Sequence, residues 1–137
     1  MDDCERLEEI QQALDELRDS ALCGTVVLVE GPRDRAALQR LGIEGEIVTT
    51  SHRQLLALAE SLARSGRKVI VLTDWDERGE EVARQLITYL EADGARPDGA
   101  LRETLGALVR KEIKDVESLG RYVERLREIC STKPQHY

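Results

Sequence analysis

Two short apolar runs, each followed closely by acidic residues, constrain the fold of this 137-residue chain more than any other feature. Residues 26–29 read Val-Val-Leu-Val and residues 69–72 read Val-Ile-Val-Leu. Both runs are apolar at every position and rich in β-branched residues, which is typical of strands buried on both faces of a parallel sheet. Glu30 ends the first run, and Asp74 and Asp76 follow the second. Because open α/β sheets bind ligands beyond the carboxyl ends of their strands, these acids are predicted to lie at the functional edge.

Short strands alternate with helical patterns through the middle of the chain. The predicted elements are helix 3–19, strand 25–30, a helix from Pro32, strand 47–49, a helix capped by Ser51, strand 68–73, a helix from about Arg78, a short strand within 95–99 and helices over 100–130. This order predicts an α/β fold with a short parallel sheet and helices on both faces. The length fits a single domain over residues 1–137.

The first helix carries a narrow apolar stripe at helical spacing: Leu7, Ile10, Leu14 and Leu17. We expect this stripe to pack on the domain, because a short helix is only marginally stable alone. Docking onto another chain is the alternative.

Charge and cysteine content limit the partners and the compartment. The formal charge is −7, so no global basic field attracts nucleic acid, and a polyanion would have to meet a local basic patch or a bound metal. Cys4, Cys23 and Cys130 are odd in number, widely spaced and without a C-x-x-C motif, so we expect three reduced thiols in a cytoplasmic protein. No run approaches the length of a membrane span, and the charged N-terminus lacks the apolar segment of a signal peptide.

The acids themselves indicate a metal site. Asp74 and Asp76 point to the same side of an extended chain, about 6.5 Å apart, whereas Trp75 points the other way and is expected to pack in the core. Carboxylates gathered at one edge repel each other unless a hard cation lies between them, and all-oxygen ligation favours Mg²⁺. The alternative is that Asp74 or Asp76 serves only as the N-cap of the helix that follows.

Two motifs resemble the Toprim domain: Val29-Glu30-Gly31-Pro32-Arg33-Asp34 and Thr73-Asp74-Trp75-Asp76-Glu77-Arg78-Gly79, with 44 positions between Glu30 and Asp74. The resemblance covers about residues 24–98 and is nearest in form to the small stand-alone archaeal Toprim proteins. Helix 3–19 and helices 100–130 would then be extensions of the core. The resemblance implies a compact Rossmann-like fold in which Glu30, Asp74 and Asp76 hold Mg²⁺, with Mn²⁺ as a substitute.

Residues that flank the motifs are candidates for phosphate contacts: Gly31, Arg33, Arg35 and Arg78. Gly31 lacks a side chain where a phosphate would approach, and the arginines could neutralise phosphate charge. Asp34 is a candidate to orient the metal ligands without binding the metal itself. The alternatives are a simple turn at Gly31, arginines that only favour solubility, and a solvated first-turn acid at Asp34.

The predicted function is Mg²⁺-dependent phosphodiester chemistry on RNA or DNA, most simply nuclease-like hydrolysis or another phosphoryl transfer. Glu30, where it is not engaged solely as a metal ligand, would act as general base while Asp74 and Asp76 hold one or two metal ions. The alternative is a non-catalytic, metal- and nucleic-acid-binding subunit docked on a larger processing or repair complex, where a protein partner supplies the grip on the substrate. No tyrosine lies in the context that strand passage by a topoisomerase needs.

Overall fold

Four parallel strands form one sheet in the computed structural model, which describes residues 1–132. The strands are β1 (Val26–Val29), β2 (Ile47–Thr49), β3 (Val69–Val71) and β4 (Pro97–Asp98), in the order β2-β1-β3-β4. The predicted parallel sheet is therefore confirmed, including the short strand within 95–99. The single-domain prediction extends to residue 137, but its last five residues, including His136 and Tyr137, lie outside the described part.

Helices cover both faces of the sheet, as predicted. They are α1 (Asp3–Leu22), α2 (Pro32–Arg40), α3 (Leu55–Arg64), α4 (Glu77–Ala92), α5 (Ala100–Val109) and α6 (Leu119–Thr132), with a 3₁₀ turn at Val116–Ser118 before α6. Buried side chains of α3 and α4 form the core on one face, and those of α1, α2, α5 and α6 form the core on the other. The sheet is the middle of three layers.

The all-apolar strands follow directly from this layering. Val27 and Val29 of β1 belong to the core under α1 and α6, whereas Val26 and Leu28 belong to the core under α3 and α4. All four are completely buried. Each fully buried aliphatic side chain stabilises the fold by roughly 1.5–3 kcal/mol, so a strand between two helical layers carries no polar residue.

Helix α1 packs on its own domain, as expected. Ile10 and Leu17 have no exposed surface and Leu14 is 1% exposed, and their partners are α5 and α6. The stripe is therefore not available to another chain. Within residues 1–132, no helix combines the length and apolarity needed to cross a bilayer.

The predicted cap at Ser51 is wrong. Helix α3 starts at Leu55, and Gln54 occupies its N-cap position without a side-chain capping bond. Instead, the amide of Ser51 donates a 2.8 Å hydrogen bond to the carbonyl oxygen of Glu30, so the loop extends the β1–β2 pairing beyond the strands. His52 then turns the chain with a φ of 61°, a left-handed conformation that histidine tolerates better than most residues.

The prediction of three reduced thiols is also wrong. Cys4, near the start of α1, and Cys130, near the end of α6, form a disulfide with Cα atoms 5.6 Å apart, and only Cys23 is free. The two cysteines are 126 positions apart, so their approach depends entirely on the packing of α1 against α6. Sequence spacing carries no signal of such a long-range pair.

Candidate metal centre

Glu30 and Asp74 meet at the carboxyl edge of the sheet. Leu28 pairs with Val71 in neighbouring parallel strands, so the residues just beyond the two strands are brought side by side. The amide of Asp74 donates a 2.8 Å hydrogen bond to Oε2 of Glu30. Both side chains are half-buried. Glu30 and Asp74 therefore lie close together, as predicted.

Asp74 lies in an environment that disfavours its charge. Burial, together with the neighbouring carboxylates of Asp34 and Glu30, raises the pKa of Asp74 to about 8. The amide of Val116, which donates a 3.0 Å hydrogen bond to Oδ1, opposes this shift. Without a cation, the cluster therefore retains a proton that an isolated aspartate would lose.

Asp34 belongs to the same cluster and is 7% exposed. Its Oδ2 accepts a 3.1 Å hydrogen bond from the amide of Gly31, and its Oδ1 accepts a 3.0 Å bond from the amide of Glu117. Burial raises the pKa of Asp34 in spite of these two amides, and the charges of Glu30 and Asp115 add to the shift. Asp34 thus joins the turn after β1 to the 3₁₀ turn before α6, and the interpretation of a solvated surface acid is wrong.

Asp76 does not join the carboxylate cluster. Its Oδ1 accepts a 2.7 Å hydrogen bond from the amide of Gly79, which makes Asp76 the N-cap of α4. The extended-chain argument fails because α4 begins at Glu77, so the Asp76 carboxylate turns towards the helix amides. Among residues 1–132, no three His, Cys, Asp or Glu side chains come together closely enough to hold a metal ion. The expected convergence of Glu30, Asp74 and Asp76 on one ion therefore stays a prediction, since this side-chain arrangement brings only Glu30 and Asp74 together.

The last position of the second motif has a steric explanation. A Cβ atom on Gly79 would lie 2.0 Å from the carbonyl oxygen of Asp74, which is far inside van der Waals contact. The hydroxyl of Thr73 donates a 2.7 Å hydrogen bond to the carbonyl of Gly79. Only glycine lets the first turn of α4 approach the acid-bearing turn this closely.

A buried arginine supports the same turn, and sequence reasoning missed it. Arg102 of α5 is 2% exposed, and its guanidinium donates to the carbonyl oxygens of Thr73 at 3.1 Å and Asp74 at 2.6 Å. Its charge is balanced by Glu80 and Glu103, at 3.1 and 3.2 Å. An arginine in an amphipathic helix usually indicates a solvated face, so no local signal marks Arg102 as buried.

Segment 114–117 closes the site from the far end of the chain. The carbonyl oxygen of Lys114 accepts a 2.8 Å hydrogen bond from the amide of Trp75. The amides of Val116 and Glu117 donate to Asp74 and Asp34, as described above. Trp75 is 5% exposed, and its indole nitrogen donates to the carbonyl of Arg102 at 2.9 Å. Its predicted place in the core is confirmed. Asp115 of this segment caps the 3₁₀ turn, since its Oδ1 accepts from the amide of Ser118, but no local pattern places the segment at the site.

The flanking phosphate candidates lie around the cluster. Arg33 and Arg78 are exposed and Arg35 is half-buried, and none of the three forms an ion pair with a residue in the described range 1–132. Gly31 is the N-cap of α2, where an added Cβ would make only ordinary contact with Asp34 at 3.7 Å. Close packing therefore does not require glycine at this position.

The donor set fits a divalent cation. Glu30 and Asp74 present carboxylate oxygens side by side, and Mg²⁺ is commonly held by one or two carboxylates with water completing its shell. Burial first, and then the charges of Asp34 and Glu30, raise the pKa of Asp74, so a cation beside this carboxyl group would favour its charged form. The Oδ1 atom of Asp76 caps α4, and its Oδ2 atom has no hydrogen-bond partner among residues 1–132.

Comparison with known proteins agrees with this arrangement. A model of the Toprim domain matches residues 25–117, a range that ends on the segment that closes the site. The chain is 44% identical to a UPF0292 protein of Methanosarcina barkeri over 122 residues, which is 89% of this chain and 85% of the relative. It is 38% identical to a UPF0292 protein of Thermococcus onnurineus, with 88% of each chain covered.

A solved structure shares the fold. A protein from Aquifex aeolicus superposes with a TM-score of 0.67 and 26% identity, covering 79% of this chain and 95% of that one. The acid-bearing strand ends, the parallel sheet and the extent of the match point to one family. The chain belongs to the Toprim domain family, and its relatives are the small archaeal UPF0292 proteins.

Proposed function

We propose that this protein carries out Mg²⁺-dependent phosphodiester chemistry on nucleic acid in the cytoplasm, most simply hydrolysis. The observation that carries the proposal is the juxtaposition of Glu30 and Asp74 at the carboxyl edge of the sheet, with a 2.8 Å bond from the Asp74 amide to Glu30. Membership of the Toprim family supports it, because these domains generally bind a divalent metal and act in nucleic-acid metabolism.

Each acid has a distinct part in this proposal. Glu30 and Asp74 would hold Mg²⁺ or Mn²⁺, and Asp76 would contribute through its second oxygen while its first caps α4. When bound, the ion neutralises charge on the phosphate under attack and on the leaving oxygen. Glu30 accepts the proton of the attacking water as the new oxygen–phosphorus bond forms and the bond to the leaving oxygen breaks.

Other residues position the substrate and the acids. Asp34 holds the turn at Gly31 and the 3₁₀ turn together, so that Glu30 and Asp74 stay in register. Arg33, Arg35 and Arg78 contact the phosphates, since they flank the acids and have no acidic partner in residues 1–132.

The docking-subunit alternative has less support. An exposed apolar stripe on α1 would have supported this alternative, but Ile10, Leu14 and Leu17 of that stripe are buried. The exposed large apolar side chains in the described range 1–132 are Met1, Leu22 and Leu56, which lie on separate elements or at the terminus. Scattered apolar residues of this kind are ordinary on a protein surface.

The test is a cleavage assay on labelled single-stranded and duplex RNA and DNA with Mg²⁺, Mn²⁺ or excess EDTA. We expect cleavage only with metal, and a loss of at least ~100-fold in Glu30→Gln and Asp74→Asn, as is usual when a chemical group is removed. Asp93→Asn is the matched control, because Asp93 ends α4 at the end remote from Asp76. Cleavage that persists in EDTA or in Asp74→Asn contradicts the proposal.

A further inference from the structure

An open hollow of about 370 Å³ lies between α2 and α6. Three arginines line it, Arg40 from the end of α2 and Arg121 and Arg127 from α6, and we refer to it as the arginine groove. Gly120, Glu117 and Glu124 also line the groove. The proposed catalytic chemistry does not use this surface.

The groove carries positive charge that the fold does not neutralise. Glu124 forms an ion pair with Arg127 at 3.6 Å, so the charges of these two side chains cancel. Arg40 and Arg121 are exposed and form no ion pair with any residue in the range 1–132. Glu117 is the one carboxylate of the lining without an ion pair in residues 1–132, so the two unpaired arginines leave the groove with net positive charge, a local site for an anion in a chain of net charge −7.

Arg121 extends this basic surface to a second, adjoining hollow. That hollow, of about 250 Å³, is lined by Arg121 and Arg125 together with Ser118 of the 3₁₀ turn. Arg125 stacks over the ring of Tyr122, with its guanidinium carbon 5.2 Å from the ring centroid, which holds the side chain against α6. Arg125 also forms a 3.4 Å ion pair with Glu112, so Arg121 is the unpaired cation that the two hollows share.

The arginine groove is connected to the carboxylate cluster. Glu117 lines the groove, and its backbone amide donates to Asp34 within the cluster. Asp34 and Arg40 also lie on the same helix, six residues apart, which is about 9 Å along the helix axis. Successive phosphates of a nucleic-acid strand are a few ångströms apart, so only a few nucleotides separate the groove from the acids.

We propose that the arginine groove binds the phosphodiester backbone of a nucleic-acid strand and leads that strand to Glu30 and Asp74. The proposal rests on the proposed function of the carboxylate cluster and adds the path of the substrate. Arginine suits this task, because its planar guanidinium donates two parallel hydrogen bonds to a phosphate. The groove stays open at Gly120, where an added Cβ would meet only the Leu41 side chain, at 3.9 Å.

The test measures binding of fluorescein-labelled RNA and DNA oligonucleotides to the full-length protein in EDTA, over a series of salt concentrations. We expect Arg40→Glu/Arg121→Glu to weaken binding at least ~10-fold and to lower the salt slope by about 1.4–1.8, the share of two phosphate contacts. The matched control is Arg64→Glu/Arg96→Glu. It makes the same change in net charge with two exposed arginines, one at the end of α3 and one before β4. This control should bind nearly as the unchanged protein does.

A second variant tests shape rather than charge. Gly120→Trp keeps every arginine but fills the groove, so it should also weaken oligonucleotide binding. Far-ultraviolet circular dichroism checks that the variants are folded. In the arginine variants, Mg²⁺ titration followed by Trp75 fluorescence checks that the metal site is intact. If the control variant loses as much affinity as the groove variant, or if no oligonucleotide binds in EDTA, the groove proposal is overturned.

These outcomes separate the groove from the catalytic proposal. Groove-dependent binding without any metal-dependent cleavage would contradict the proposed function and leave the groove supported. Metal-dependent cleavage with binding that is unchanged in Arg40→Glu/Arg121→Glu would overturn the groove and leave the proposed function supported.

Discussion

The backbone amide of Asp74 donates a 2.8 Å hydrogen bond to the side chain of Glu30, 44 positions earlier in the chain. One acid thus helps to position the other before any ligand arrives. The bond exists because β1 and β3 are parallel neighbours that end at the same edge. Loss of the Glu30 side chain should therefore change both the charge and the local geometry of the site.

Asp74→Asn should stabilise the metal-free protein at alkaline pH. The pKa of Asp74 is raised from 3.8 to about 8, so the unfolded chain loses this proton near pH 4 whereas the folded protein keeps it until about pH 8. The stability that this group contributes is complete below pH 4 and is lost as the pH rises through 8. In EDTA at pH 8.5, we expect a gain of about 1–2 kcal/mol, after allowance for solvent screening at this half-buried position.

Thermal melts in EDTA at pH 5 and pH 8.5 check this prediction. The gain should be clearly smaller at pH 5, and it should reverse when Mg²⁺ is added, because the unchanged protein then gains stability from metal binding. Equal melting temperatures of Asp74→Asn and the unchanged protein at both pH values would show that the carboxyl group is not strained by its neighbours.

Asp76 should behave as a helix cap when it is truncated. Asp76→Ala removes the 2.7 Å bond to the Gly79 amide, and we expect a loss of about 1 kcal/mol from the free energy of unfolding. Asp76→Asn keeps an oxygen acceptor and should lose much less. Urea denaturation of both variants in EDTA provides the comparison, and a stabilised Asp76→Ala would mean that charge repulsion outweighs capping.

Two glycines in the first turns of helices should respond oppositely to alanine. In Gly79→Ala the new Cβ would lie 2.0 Å from the Asp74 carbonyl, so α4 must move away and both stability and Mg²⁺ affinity should fall. In Gly120→Ala the nearest neighbour is 3.9 Å away, so we expect a gain of up to about 1 kcal/mol from helix propensity. Paired melts and Mg²⁺ titrations measure both effects. A tolerated Gly79→Ala would refute the close approach.

Arg102→Met should be strongly destabilising. The carbonyl oxygens of Thr73 and Asp74 would lose their donors, and an unsatisfied buried acceptor costs about 1–3 kcal/mol, so we expect a total loss of about 2–4 kcal/mol. Arg84→Met is the control, because Arg84 forms only an exposed ion pair with Glu81. Urea denaturation should separate the two variants, and similar stabilities would argue against a buried role for Arg102.

The Cys4–Cys130 disulfide should stabilise the protein substantially. A cross-link that closes a loop of this length restricts the unfolded chain. Removal of a native disulfide usually costs about 2–5 kcal/mol, so we expect Cys4→Ser to lower the free energy of unfolding by that amount. Cys23→Ser, at the exposed free thiol, is the control. The difference should vanish when both proteins are melted with a reducing agent, and a difference that survives reduction would point to a packing defect instead.

The amino-acid pattern alone determined the central strands, their parallel arrangement and the edge on which Glu30 and Asp74 lie. These features depend on local signals: an unbroken apolar run indicates burial on both faces, and alternation with helices indicates parallel pairing. Pro32 as the first residue of α2 and Asp115 as a cap follow from equally local chemistry.

Only the tertiary structure decided how the remaining groups are used. Arg102 became buried beneath the turn at Asp74, and Cys4 met Cys130. The burial of Arg102 and the pairing of Cys4 depend on segments 28 and 126 positions away. A side chain at an element end has both a local amide and a distant partner within reach, and packing selects between them, so local patterns do not predict its contacts.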